Sequence, residues 1–174
     1  MDKFLITEPK DGDEVAIGPM HIQSWIETYL PQNKEMTEEF IKKQISFVAN
    51  ESGNKFRKET FKEAQEHPDK VLYRVVKNTE GVVVGFFHCT KDENFNEIEG
   101  IYLLEEAKGH GIGKKLMEDF LNWMDNNKPS RLEVFGTNER AISFYSKYGF
   151  KKFDKEVRLY KDKFPIIEMI RPAK

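Results

Sequence analysis

Cysteine is nearly missing: Cys89 is the only one in 174 residues. A lone thiol can neither close an internal disulfide nor build a multi-thiolate zinc site. The four histidines are scattered without metal-ligand spacing, so no metal is expected. Long apolar runs are absent as well, and none approaches the ~20 residues that span a bilayer. The opening, MDKFLITEPK, is charged within its first residues and lacks the apolar stretch of a signal peptide. Neither sign of charge dominates: 28 Lys and Arg stand against 30 Asp and Glu, a net charge of -2. That balance removes the overall basic excess of a dedicated nucleic-acid or anionic-membrane binder. Solenoid repeats and low-complexity tracts are missing too. The expectation is a cytoplasmic protein of a reducing compartment with no nucleic-acid and no membrane partner.

What is present is material for a packed interior. Aromatic residues make up 13% of the chain, 14 of them Phe, against 33% charged residues. A chain of this length is expected to form one domain, residues 1–174, that stands without staples. Residues 4–7 read as a short strand ended by Pro9. Asp11 and Glu14 have the spacing of a capping box ahead of a helical pattern through Val15, Ile22, Trp25, Ile26 and Tyr29. Pro19 predicts either a kink or a helix that begins there. Thr37 caps a second helix carrying Phe40, Ile41, Ile45 and Val48, which Gly53 and Asn54 should end. A charged third helix is expected over residues 55–66, with Phe56, Phe61 and Ala64 as its apolar face.

From Val71 the texture changes to strands, at residues 71–76, 82–90 and 94–104, which argue an antiparallel meander. A glycine-rich loop, residues 108–113, then runs into an amphipathic helix through Ile112, Leu116, Met117, Phe120, Leu121 and Met124. A strand over 131–135, a helix capped by Asn138 and closed by Gly149, and two strands near 150–160 and 166–171 complete the pattern. The fold class is α/β: a mixed, mostly antiparallel sheet of six to seven strands flanked by helices.

The glycine loop stands between a strand and a helix, where unpaired N–H groups and the positive helix end suit a phosphate or pyrophosphate. Spacing narrows the ligand. A P-loop requires glycine at the position of Lys108 and Ser or Thr after the lysine, yet Lys114 is followed by Lys115. The dinucleotide fingerprint counted from Gly109 would put its third glycine on Lys114. A tight turn feeding a helix would by itself explain the glycines.

The run Lys108, Gly109, His110, Gly111, Ile112, Gly113 resembles a motif of the GNAT superfamily of acyl-CoA-dependent N-acetyltransferases. There, Arg or Gln is followed by two variable residues, Gly, any residue, and Gly or Ala, between a bulged fourth strand and a helix. Lys108 replaces the Arg or Gln, keeping the charge without the planar fork. A second family motif follows at the expected distance, as Asn138, Ala141, Phe144, Tyr145, Gly149 and Phe150 in NERAISFYSKYGF. The resemblance covers residues 71–153 and, more loosely, Ser24, Trp25, Thr28 and Tyr29. The stretch from Glu97 to Leu103 looks most like the polyamine-acetylating, PaiA-like branch that acts on spermidine and spermine.

The resemblance implies acetyl-CoA as co-substrate and a cleft opened by a bulge in the fourth strand. Its pyrophosphate would rest on Lys108, Gly109, His110, Gly111, Ile112, Gly113 and Lys114, with Asn138 a further contact. Backbone amides around Ile101, Tyr102 and Leu103 would bind the thioester oxygen and pantetheine. A free alkylamine has a pKa near ~10, so a base must remove its proton. Glu97 and Glu99 alternate with Ile98 and share a strand face, which makes Glu99 the preferred base and Glu97 the fallback. Gly100 suits the break in the ladder. Tyr145 is the candidate acid for the departing thiolate, although core packing beside Phe144 would also account for it. Trp25, Tyr29 and Glu97 are candidates for the acceptor pocket, with core packing the plainer role for Trp25. His110 should contribute only its backbone N–H, and Cys89 should be a small packing residue.

These readings combine into an N-acetyltransferase that moves an acetyl group directly to a primary amine of a small molecule or a protein. The acidic residues Glu35, Glu38, Glu39, Glu97 and Glu99 would favour a cationic acceptor if they converge. The alternative is a non-catalytic acyl-CoA-binding or interaction module of the same fold. A homodimer is the candidate assembly.

Overall fold

The computed structural model describes residues 3–153 and 158–174. Among the described residues eight strands form one sheet: β1 (Phe4–Thr7), β2 (Val71–Asn78), β3 (Val83–Lys91), β4 (Asn96–Leu103), β5 (Ser130–Phe135), β6 (Lys151–Lys152), β7 (Arg158–Tyr160) and β8 (Phe164–Arg171). Their order is β1-β2-β3-β4-β5-β8-β6, with β7 beside β8. Every pair is antiparallel except β4 with β5. The count exceeds six to seven because the C-terminal stretch supplies β6, β7 and β8. Residues 154–157 of the strand expected over 150–160 lie outside the described residues.

Five α-helices flank the sheet: α1 (Asp13–Tyr29), α2 (Glu38–Ile45), α3 (Glu51–Glu66), α4 (Ile112–Trp123) and α5 (Glu139–Ser146). Helix α1 starts on Gly12, whose φ of +95° no L residue adopts cheaply, and no side chain caps it. Asp11 is therefore not the cap, and the helix runs on through Pro19, which can donate no hydrogen bond. Thr37 does cap α2, accepting from the Phe40 N–H at 3.1 Å. Gly53 and Asn54 do not end that helix. A 3₁₀ turn (Ser46–Ala49) ends it, and Asn50 caps α3 by accepting from the Gly53 N–H at 3.0 Å. A Cβ on Gly53 would collide with the carbonyls of Phe47 and Val48, so glycine there allows α3 to approach the preceding turn. Phe56 is 62% exposed and not on the apolar face of α3, because Arg57 and Phe61 occupy the buried side.

Strand alternation gives the sheet two unlike faces. Against α4 and α5 lie Phe87, Cys89, Ile98, Leu132 and Met169, packed on Leu116, Met117, Phe120 and Phe150. Against α1, α2 and α3 lie Tyr73, Val75, Phe86 and Phe135, packed on Ile17, Trp25, Tyr29, Ile41 and Phe61. Buried Asn96 ties β4 to the α4–β5 connection, donating to the Asp125 carbonyl at 2.9 Å and accepting from the Asp125 N–H at 2.8 Å.

The parallel seam between β4 and β5 is short. Asn96, Glu97 and Ile98 face Ser130, Arg131 and Leu132, and there the pairing ends. Opposite, His88 pairs with Gly100 and Cys89 with Ile98, so Glu99 is the extra residue of a bulge. The bulge resets the alternation: Ile101 and Leu103 join Ile98 on the α4 face, while Tyr102 points to the α1 face. A Cβ on Gly100 would strike the Tyr102 ring, so glycine lets that ring lie back over the bulge.

Candidate active site

A cleft of about 610 Å³ opens where β4 and β5 part. The end of α1, the C-terminal half of β4, the glycine loop and α5 form its walls, including Tyr29, Ile101, Tyr102, Leu103, Asn138 and Tyr145. The Leu104 N–H donates to the Val84 carbonyl at 2.9 Å. Because an antiparallel ladder alternates, the N–H groups of Ile101 and Leu103 point away from β3 and into the opening. Donors without a strand to bind are what a carbonyl or amide ligand requires.

The glycine loop supplies a second row of donors. Gly109 and Gly111 have φ of +83° and +76°, and Gly111 precedes α4 with no side-chain cap. From Gly109 to Lys114, no backbone N–H has an acceptor within the chain among the described residues. Gly113 serves a different purpose, since its Cβ would press on the Phe144 ring at 3.3 Å, so glycine lets α4 pack against α5. Uncapped amides at a positive helix end fit a pyrophosphate, and the long cleft beyond them fits a pantetheine arm.

Lys108 is placed differently from Lys114. Its Nζ lies 3.0 Å from the Glu105 carboxylate and 3.3 Å from the Thr28 hydroxyl, and its N–H already donates to the Glu105 carbonyl. Arg140 of α5 meets the other oxygen of Glu105 at 3.3 Å. Glu105 thus holds two cations at the cleft mouth, and their hydrogen bonds and charges keep its carboxyl below the usual carboxylate range. This cluster left no sequence signal beyond ordinary surface charge. The His110 ring turns outward to Phe4, 5.1 Å away.

Three phenols line the cleft. Tyr145 is 8% exposed, and burial, with the neighbouring phenols of Tyr102 and Tyr29, pushes its pKa far above the ordinary value. Its hydroxyl donates to no group among the described residues. Tyr29 is raised in the same way by burial and by Tyr102, and the Asn138 amide faces its hydroxyl. Asn138 also caps α5, its Oδ1 accepting from the Ala141 N–H at 3.1 Å.

Several expected site residues lie outside the cleft lining: Trp25, Glu97, Glu99 and His110. Trp25 packs edge-on to Tyr29 and Phe135 and donates from its indole to His21 at 3.1 Å. Glu97 is held by Arg131, at 2.8 and 2.6 Å, below the point where the strands part. Glu99 is exposed on the bulge and accepts from the Thr90 hydroxyl at 2.9 Å. Nor do the acidic residues converge, because Glu35 pairs with Lys163, Glu38 with Lys42 and Glu97 with Arg131.

A sheet splayed at one parallel seam, with an uncapped glycine loop feeding its opening, defines a class of acyl-CoA-binding α/β proteins. The chain belongs to the acetyltransferase (GNAT) family, whose model matches residues 25–150. It is 33% identical over 87 residues to an uncharacterized N-acetyltransferase of Archaeoglobus fulgidus, a match covering 45% of this chain and 59% of that protein. Over 97% of this chain and 98% of the other, it is similar to the PaiA N-acetyltransferase of Thermoplasma acidophilum solved with coenzyme A, at 22% identity and a TM-score of 0.75. Spermidine N-acetyltransferase of Vibrio cholerae, solved with CoA and spermine, is similar in fold at 14% identity, 99% and 97% coverage and a TM-score of 0.61.

Proposed function

We propose that this protein is an acetyl-CoA-dependent N-acetyltransferase that moves an acetyl group directly to a primary amine. The observation that carries the reading is the meeting, in one cleft, of two rows of backbone donors and a phenol with a free proton. The amides of Gly109 to Lys114 would hold the pyrophosphate, and those of Ile101 and Leu103 the thioester oxygen and pantetheine. In the transfer, a C–N bond forms and the C–S bond breaks, with the electron pair going to sulfur. Tyr145 gives the sulfur its proton, its buried hydroxyl being fully protonated at neutral pH. Glu99 stands at the bulge and takes the amine proton through water.

The acceptor we favour is a small cationic amine of the spermidine kind, supported by likeness to the PaiA and spermidine N-acetyltransferase structures. A primary amine on a protein is the other acceptor of this class. The need for acetyl-CoA and a buried free thiol at Cys89 favour the cytoplasm. A second reading, a binding module without transfer, is favoured by one observation: neither Glu97 nor Glu99 lines the cleft. Thiol release from acetyl-CoA across a panel of amines, spermidine included, separates the two. Release with formation of the acetylated amine supports transfer, and coenzyme A binding without release supports the module.

A further inference from the structure

Tyr29 and Tyr145 belong to opposite faces of the sheet, one on α1 and the other on α5, yet both line the same cleft. Only the parting of β4 from β5 allows that meeting. The Tyr29 ring is fixed edge-on by Trp25 at 5.1 Å and Phe135 at 4.9 Å. Its hydroxyl end faces the Asn138 amide. Because Asn138 Oδ1 is committed to the Ala141 N–H, the side of the amide left for Tyr29 is the donor, Nδ2. The phenol oxygen of Tyr29 thus has an amide donor beside it, its own proton remains to donate, and no described residue takes that proton.

We propose that Tyr29 is a further catalytic residue of this acetyl transfer, donating its O–H to the carbonyl oxygen of the bound acetyl group from the α1 wall of the cleft. The proposal rests on the acetyltransferase reading. A donor suits the carbonyl oxygen and not the amine, whose lone pair must remain free to attack. Charge develops on that oxygen as the C–N bond forms and leaves it as the C–S bond breaks, so Tyr29 keeps its proton throughout. The amine proton still departs toward Glu99, and the sulfur still takes its proton from Tyr145. An amide donor beside the phenol oxygen polarises the phenol and makes it a stronger donor. Burial holds Tyr29 in the protonated form, so it serves as donor and not as base.

The test compares wild type, Tyr29→Phe, Asn138→Asp and the double variant, with acetyl-CoA and whichever panel amine wild type acetylates, spermidine first. Tyr29→Phe keeps the ring packing and should lower kcat by roughly 100-fold, the scale of one lost oxyanion donor, with coenzyme A affinity within about twofold. Asn138→Asp keeps an acceptor for the α5 cap but turns the phenol proton away from the cleft. It should lower kcat similarly, and the double variant should be no slower than the slower single one. A Tyr29→Phe protein with wild-type kcat, or one whose loss is all in coenzyme A affinity, overturns the proposal alone. Wild type that releases no thiol with any amine contradicts the acetyltransferase reading, and the proposal falls with it.

Discussion

On the α4–α5 face, the sheet meets Leu, Met and Ile side chains spaced along one helix stripe, and the loop leading into that helix is set by glycine dihedrals. On the α1–α3 face it meets rings: Trp25 touches Tyr29, Phe135 and Tyr160, while Tyr102 stacks between His21 and Phe86. The first face is made from local backbone chemistry and binds through main-chain N–H groups. The second is made from long-range contacts and brings hydroxyls to the gap. The proposed reaction needs both, because the α4–α5 side holds the cofactor and supplies Tyr145, while the α1 side supplies the Tyr29 hydroxyl.

Removing the Tyr145 hydroxyl, which the α4–α5 side brings to the gap, should have the largest effect. Tyr145→Phe should lower kcat by about 100-fold or more, within the usual range for a lost general acid. Coenzyme A affinity measured by calorimetry should change little, since the amides are untouched. Unaltered turnover would remove Tyr145 from the mechanism.

Acid should next separate the two faces, because both half-buried imidazoles, His21 and His88, lie on the ring side. Burial lowers His21 to about 3, helped by the Arg57 charge, and burial lowers His88 to about 4. Both folded values lie below the unfolded one of ~6.5, so between these limits the unfolded chain binds protons that the folded chain refuses. Their contribution to stability is complete above about pH 6.5. It falls as pH drops toward 4, by ~1.4 kcal/mol per pH unit for each histidine. His88→Leu should remove one histidine's share of that slope in urea titrations across this window, and an unchanged slope would contradict the neutral His88. The Nε2 of His88 has no hydrogen-bond partner among the described residues, and the Glu63 charge only partly offsets the effect of burial.

The amide face answers to backbone geometry. At Gly111 a Cβ would meet nothing within 4 Å, so crowding is not the reason for glycine; φ of +76° is. Gly111→Val should weaken coenzyme A binding about tenfold, from ~1–2 kcal/mol of strain in the loop. Full affinity in that variant would separate the loop from the cofactor. The smallest effect belongs to Glu105, whose pairs with Lys108 and Arg140 are exposed on the carboxylate side. Glu105→Gln should free both cations and raise coenzyme A affinity about twofold at low salt, the gain vanishing as salt screens it. Weaker binding at low salt would mean that Glu105 organises the mouth instead of competing with phosphate.

How legible each face was follows from the same difference. The caps at Thr37 and Asn138, the left-handed Gly149 and the glycine loop are dictated within a few residues, and the structure carries them as the sequence predicts. Two helix boundaries differ from the expected spacing: α1 starts on Gly12, whose left-handed φ replaces a cap by Asp11, and Gly53 lies inside α3 because it must approach Val48. The bulge was foreseen near Gly100, but only the β3 register shows Glu99 as the extra residue. Convergence of glutamates was not readable, since Lys163 meets Glu35 and Arg131 meets Glu97 from distant segments, while Glu38 pairs with Lys42 inside its own helix. Tyr29 was visible as a ring on a helix face, whereas its donor role depends on an amide more than a hundred residues away.

In the proposed reaction, main-chain N–H groups at Ile101, Leu103 and from Gly109 to Lys114 hold the cofactor. Amide hydrogen exchange and ¹⁵N shifts, recorded with and without coenzyme A, test it residue by residue. The account predicts new protection and shifts concentrated at those amides. Coenzyme A that binds while leaving them unchanged, and protects amides elsewhere, would contradict it.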